Sequence, residues 1–193
     1  MSDNYETAQV FTARWEGGLS NDRYDKGGIT KYGVSIAFLK GVAAEKDGVA
    51  FLEHIAVRLP IDSDTIISLT YPQAEAIFRW QFWDRLRCGE MPCRMAVILY
   101  DMAVNHGRKW AVKLMQRGLN KFASPKLDVD GLLGPKTLAA IKEHDKSAVH
   151  DAIITARKDY YRAIVANNPT QKVFLKGWLN RAADLRRYVE GLE

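Results

Sequence analysis

Three residues near the start of the chain have the types and spacing for acid–base chemistry at an oxygen leaving group. They are Glu16, Asp25 and Thr30, within "WEGGLSNDRYDKGGITKYGVS". Glu16 falls in the last turn of a predicted helix. That helix is read from the capping pair Asp3 and Glu6 and the helical spacing of Ala8, Phe11 and Trp15, with Gly17 and Gly18 as its stop. The C-terminal end of a helix carries partial negative charge, which disfavours an ionised carboxylate there by roughly 0.3–1 kcal/mol. Partial desolvation by Trp15 and the neighbouring loop pushes the same way. A carboxyl group that keeps its proton near neutral pH is able to protonate a leaving oxygen, as cleavage of a glycosidic bond requires. The alternative is a surface glutamate at a frayed helix end.

Such chemistry generally uses a second carboxylate. Asp22 and Asp25 are the near candidates. Asp25 heads "DKGGIT", whose glycines can turn the chain back toward Glu16; turn-making alone is its other reading. Thr30 is the next small hydroxyl, suited to position a water, or else a strand residue or a cap. In "YDMAVNHG", Asp101 and Asn105 are four apart and share a helix face. On so apolar a helix they either satisfy each other in the core or line a cleft. The histidines are His54, His106, His144 and His150. They form no HExxH and pair with no cysteine cluster, so neither metal nor cofactor is expected.

The elements that must position these groups are nearly all helical. "ITKYGVS" predicts a short strand or hairpin, and Ser35 caps a brief helix ending near Gly41. Asp47 opens "GVAFLEHIAVRL", halted by Pro60. Thr70 with Gln73 starts "YPQAEAIFRWQFWDRL", with Pro72 tolerated in its first turn. Pro92 begins "RMAVILYDMAVNH", closed by Gly107, and "KWAVKLMQRGLNKF" follows. After the turn-rich "ASPKLDVDGLLGP", three more helices are expected, with Ser147 and Thr170 as caps of the last two. Pro135 starts the first of these with its φ preset.

Composition sets the class. The chain has 193 residues, 47% of them hydrophobic, which supports a real core and excludes a disordered chain. "MAVILYDMAV" is too short to span a bilayer and is broken by Asp101. The N-terminus is acidic with no apolar run behind it, so no secretory signal is read. A formal charge of +5 suits a polyanionic partner, or else reflects ordinary solvated lysines. Cys88 and Cys93 in "CGEMPC" are read as free thiols, a short-loop disulfide being the other option.

Glu16-Gly17-Gly18, then Asp25, Gly27, Gly28, Thr30, Tyr32 and Gly33, resemble the N-terminal pattern of glycoside hydrolase family 108, the N-acetylmuramidases of the "secretion activator" type. The order Glu, Asp, Thr also looks like the catalytic triad of phage-type lysozymes. "DMAVNHG", "LMQRGLN", "DVDGLLGPKTLAAI" and "GWLNRAADL" resemble the family's peptidoglycan-binding region, so the likeness covers nearly the whole chain. It implies a mainly α, lysozyme-like fold with a short β-hairpin or loop after the first helix. It implies one lysozyme-like domain over 1–193, with a catalytic half over 1–90 and a helical, peptidoglycan-binding half over 91–193.

Carried over residue by residue, the likeness makes Glu16 the catalytic acid, with Asp25 and Thr30 as its partners. Tyr32 stacks on a sugar, and Asp101, Asn105 and Gln116 are substrate-binding candidates. The expected activity is hydrolysis of the β-1,4 bond between N-acetylmuramic acid and N-acetylglucosamine. The partner is then the glycan strand of peptidoglycan, met by a monomer that starts in the cytoplasm and reaches the wall by a holin or another non-classical route. Two neighbouring readings are a lytic transglycosylase and a non-catalytic wall-binding protein that assists secretion. A nucleic-acid role for "GGITKYGVSIAFLKG" is disfavoured, because "SIAFLKG" lacks the Arg, Asn or Gln that read base edges.

Overall fold

The structure is a computed structural model and describes residues 4–15 and 30–192. The chain divides into two compact units, Ala13–Arg85 and Met1–Thr12 together with Leu86–Glu193. The first helix, α1 (Asn4–Trp15), is followed among the described residues by one hairpin of β1 (Thr30–Lys31) and β2 (Val34–Ser35). Its strands are antiparallel, with Thr30 opposite Ser35 and Lys31 opposite Val34.

In the unit Ala13–Arg85, four short helices surround a small apolar core. They are α2 (Ile36–Ala43), α3 (Gly48–His54), α4 (Ser63–Ser68) and α5 (Tyr71–Phe78). Each start has a local cause. Ser35 Oγ accepts from the Phe38 amide at 3.1 Å and so caps α2. Thr70 and Gln73 form a reciprocal capping box at α5, with Pro72 in the first turn. The helix α4, for which the sequence analysis names no element, has its own box, in which Asp62 accepts from the Thr65 amide at 2.9 Å. Val34, Leu39, Val42, Leu52, Ile66 and Ile77 fill the centre, each fully buried.

Two elements depart from expectation. The helix α3 stops at His54, well short of Pro60, because Ala56 turns left-handed at φ 57°. The stretch after α5 continues helical, but Arg79–Asp84 widens into a π-helical segment. Insertions of this kind in helices recur at functional sites.

The second unit is a helix bundle built on α6 (Cys93–His106). Every residue from Met95 to Ala103 is buried, so α6 is enclosed on all sides. Around it lie α7 (Arg108–Leu119), α9 (Ser147–Asn167) and α10 (Lys172–Glu190), with α8 (Pro135–Glu143) against α7. The helices α7 and α9 meet at Gly118, where a Cβ would lie 2.6 Å from the Ile153 Cα. Residues of α1 complete the bundle. Tyr5 and Tyr100 pack edge to face at 5.7 Å, Phe11 lies 5.1 Å from Tyr188, and the Tyr188 hydroxyl donates to the Thr7 carbonyl at 2.9 Å.

The caps of the last two helices differ from the expectation. Lys146 takes the capping position of α9, and Ser147 Oγ instead accepts from Arg186 at 2.6 Å. Before α10, the Asn168 side chain accepts from the Thr170 amide and hydroxyl in a short 3₁₀ turn. Cys88 and Cys93 are not joined in a disulfide. No helix among the described residues is long and apolar enough to cross a membrane.

Candidate functional site

Glu16 and Asp25 lie outside the described residues, as does Asp3, the expected cap of α1. Thr30 and Tyr32 lie on the hairpin. Thr30 is half-buried in β1, and Tyr32 occupies the turn with its ring edge-on to Tyr71 at 5.8 Å. Lys31 Nζ lies 5.4 Å from the Tyr32 ring centre and donates to the Ile67 carbonyl at 2.7 Å, tying the hairpin to α4.

Asp101 has a different setting from the cleft that was expected. It is fully buried on α6, so its side chain meets no solvent. The carboxylate is instead satisfied in the core, by cations rather than by Asn105. Oδ2 accepts from Arg157 Nη1 at 2.6 Å, and Oδ1 from Arg181 Nη2 at 2.7 Å. Thr12 of α1 donates to Oδ1 at 3.3 Å. Burial alone would raise the Asp101 pKa, but the two guanidiniums outweigh it and hold the carboxyl below the ordinary range. Asp101 therefore joins α6 to α9 and α10 through charge and to α1 through a hydrogen bond.

Asn105 belongs to the same network one step removed. Arg157 Nε donates to the Tyr161 hydroxyl at 2.9 Å, and that hydroxyl donates to Asn105 Oδ1 at 3.0 Å. Gln116 stands elsewhere in the unit and is 1% exposed, so it too lies under the surface. Its Oε1 accepts from the Gly131 amide at 3.0 Å, and its Nε2 donates to Asp130 at 2.8 Å. It also reaches Thr137 Oγ1 at 3.3 Å, so it anchors the "DVDGLLGP" loop to α7 and α8. This is a structural setting and not a cleft wall.

Sequence reasoning missed Arg157, Arg181 and His106. The signal for the arginines was periodicity: Arg157 sits midway between core residues Ile153 and Tyr161, and Arg181 precedes Leu185 and Val189 at the same spacing of four. A charged residue on a buried stripe announces a buried partner. His106, at the end of α6, packs against Tyr160 at 5.4 Å and Tyr161 at 5.1 Å, and its Nε2 has no hydrogen-bond partner. Burial first, and then the Arg157 charge, push its pKa down to about 3. Among the described residues no group of three His, Cys, Asp or Glu side chains is placed to hold a metal ion.

Among the described residues the chain is mainly α, with one short hairpin after its first helix and a C-terminal bundle stitched by buried charge, the lysozyme-like class expected from the sequence. The chain belongs to the glycosyl hydrolase 108 family, whose pattern matches residues 10–107, just over half of its length. A second pattern, described as "Predicted Peptidoglycan domain", matches residues 110–183. Among solved structures, SagA from Brucella abortus is similar, with a TM-score of 0.69 and 24% identity. The likeness covers 97% of this chain and 93% of that one, and at this identity it is a likeness of fold. No curated protein matches this chain.

Proposed function

We propose that the protein hydrolyses the β-1,4 bond between N-acetylmuramic acid and N-acetylglucosamine in peptidoglycan. The observation that carries this reading is the pairing, in one chain, of a glycosyl hydrolase pattern with a peptidoglycan-domain pattern. In this reading Glu16, protonated, gives its proton to the glycosidic oxygen as the bond to the sugar carbon breaks. Asp25 stabilises the positive charge that develops on the ring, or takes a proton from the attacking water on the other face. Thr30 orients that water, and Tyr32 packs on a sugar. Water adds across the broken bond and leaves a new reducing end. The net charge of +5 favours approach to an anionic wall.

The distance between the two carboxyl groups decides the stereochemistry: about 5–5.5 Å gives retention, and roughly 6.5–9.5 Å leaves room for water and gives inversion. The test is digestion of purified walls by the parent and by Glu16→Gln, with the products weighed by mass spectrometry. General acid catalysis contributes about 10²–10⁴-fold, and a loss of that order is expected in the variant. Undiminished clearing by Glu16→Gln removes the acid assignment. Products lacking the added water identify a transglycosylase instead, and wall binding with no new reducing ends identifies a binder.

A further inference from the structure

The hairpin turn holds an unexpected residue. With Lys31 opposite Val34, the turn is the two residues Tyr32 and Gly33, at φ 51° and 77°. Two-residue turns with both φ values positive match the twist of the strands, and they favour Asn-Gly or Asp-Gly, whose first residue tolerates the left-handed region. A bulky side chain there is sterically disfavoured. Residues held in such regions cluster at ligand sites.

The tyrosine reaches a second ring, on the first residue of a capped helix. Tyr71 is the first residue of α5, 44% exposed, and meets Tyr32 at an interplanar angle of 87°. Its helix start is fixed by the Thr70–Gln73 box. Gln73 Nε2 continues to the carbonyls of Ile55 at 3.1 Å and Ala56 at 2.8 Å. Beside the pair, the Lys31 ammonium lies 5.4 Å from the Tyr32 ring centre, anchored to the Ile67 carbonyl. Two aromatic rings at a right angle offer one broad apolar surface and one edge, with a cation next to them. The apolar C–H face of a pyranose ring fits the apolar surface, and a carboxylate on that sugar fits the cation.

We propose that Tyr71 is a sugar-binding residue which, with Tyr32 and Lys31, forms a subsite for a carboxylate-bearing amino sugar of the glycan strand. The proposal rests on the glycan-hydrolase reading and assigns part of its substrate contact to α5. It does not require Tyr71 to take part in bond breaking, so its removal affects capture of the substrate and not the chemical step.

The experiment compares parent, Tyr71→Ala and Tyr71→Phe. Binding is measured by calorimetry in the Glu16→Gln background with two probes, chitotetraose and a tetrasaccharide alternating N-acetylglucosamine and N-acetylmuramic acid. KM and kcat are measured on soluble glycan strands in the active background, so the acid assignment and the subsite fail separately. Tyr71→Ala is expected to weaken binding of the muramyl probe and raise KM by roughly 5–20-fold, with kcat and Tm little changed. Tyr71→Phe retains the ring and is expected to behave as the parent. Lys31→Met is expected to narrow the preference for the muramyl probe over chitotetraose. Equal KM and affinity in Tyr71→Ala and parent overturn the subsite, as does a loss that only tracks a fall in Tm. A parent that neither binds the probes nor cuts strands overturns the hydrolase reading along with it.

Discussion

Arg157 meets Asp101 at 2.6 Å, Nη1 to Oδ2, and neither side chain is exposed to solvent. A buried carboxylate and guanidinium repay their desolvation only through close geometry and further hydrogen bonds, and removal of one partner leaves the other charge stranded. Here Arg181 and Thr12 supply the further bonds. Asp101→Leu is therefore expected to lose about 3–5 kcal/mol in urea denaturation. A variant as stable as the parent would show that the charged cluster contributes nothing net.

Acid should reveal the same group. Its folded pKa lies below the ordinary value, so its stabilisation is complete above the unfolded pKa of about 3.9 and disappears as pH falls below it. The parent's stability-against-pH curve is expected to drop in that acid range. Asp101→Asn, which keeps the shape and removes the titration, is expected to drop less.

His106 titrates in the opposite sense to a salt-bridged histidine. It stays neutral in the folded protein down to about pH 3, whereas in the unfolded chain it gains a proton near 6.5. The unfolded state therefore binds more protons throughout that window. Stability falls with decreasing pH by up to about 1.4 kcal/mol per unit on this group's account. His106→Phe preserves ring packing against Tyr160 and Tyr161 and is expected to flatten the dependence of Tm on pH between neutrality and mild acid. Parallel curves for the two proteins would remove His106 from the account.

Gly118 is a packing requirement. A Cβ there would enter the backbone of Ile153, so Gly118→Ala must push α7 and α9 apart. A loss of roughly 1–3 kcal/mol is expected, the usual cost of overpacking, despite alanine's better helix propensity. A rise in Tm would mean that the two helices separate freely.

Local signals in the sequence located several helix ends: Ser35, the Thr70–Gln73 pair and Pro135 act as starts and Gly107 as a stop, as read. The helix α4 was missed because "IDSDTIIS" is polar and short, and its capping box uses Asp and Thr in place of the usual Ser and Glu. The early end of α3 depends on a left-handed Ala56, a conformation that alanine does not advertise. For the candidate site, the pairing of Asp101 with Asn105 on one face was visible. Its meaning was not, because the deciding partners, Arg157 and Arg181, stand 56 and 80 positions away. Gln116 could not be distinguished from a cleft residue for the same reason: its bonds go to a loop whose path has no periodicity to read.

The hydroxyl of Tyr188 closes on the carbonyl of Thr7 across 181 positions of chain. A ribosome making this protein releases the first helix long before it supplies the ring that holds it. The helix's contacts with Tyr100 and Asp101 of α6 can form earlier, but the one with α10 must wait for Tyr188. Any premature stop before Tyr188 leaves that helix without its clasp. The clasp on α1 therefore closes only after α10 has been made.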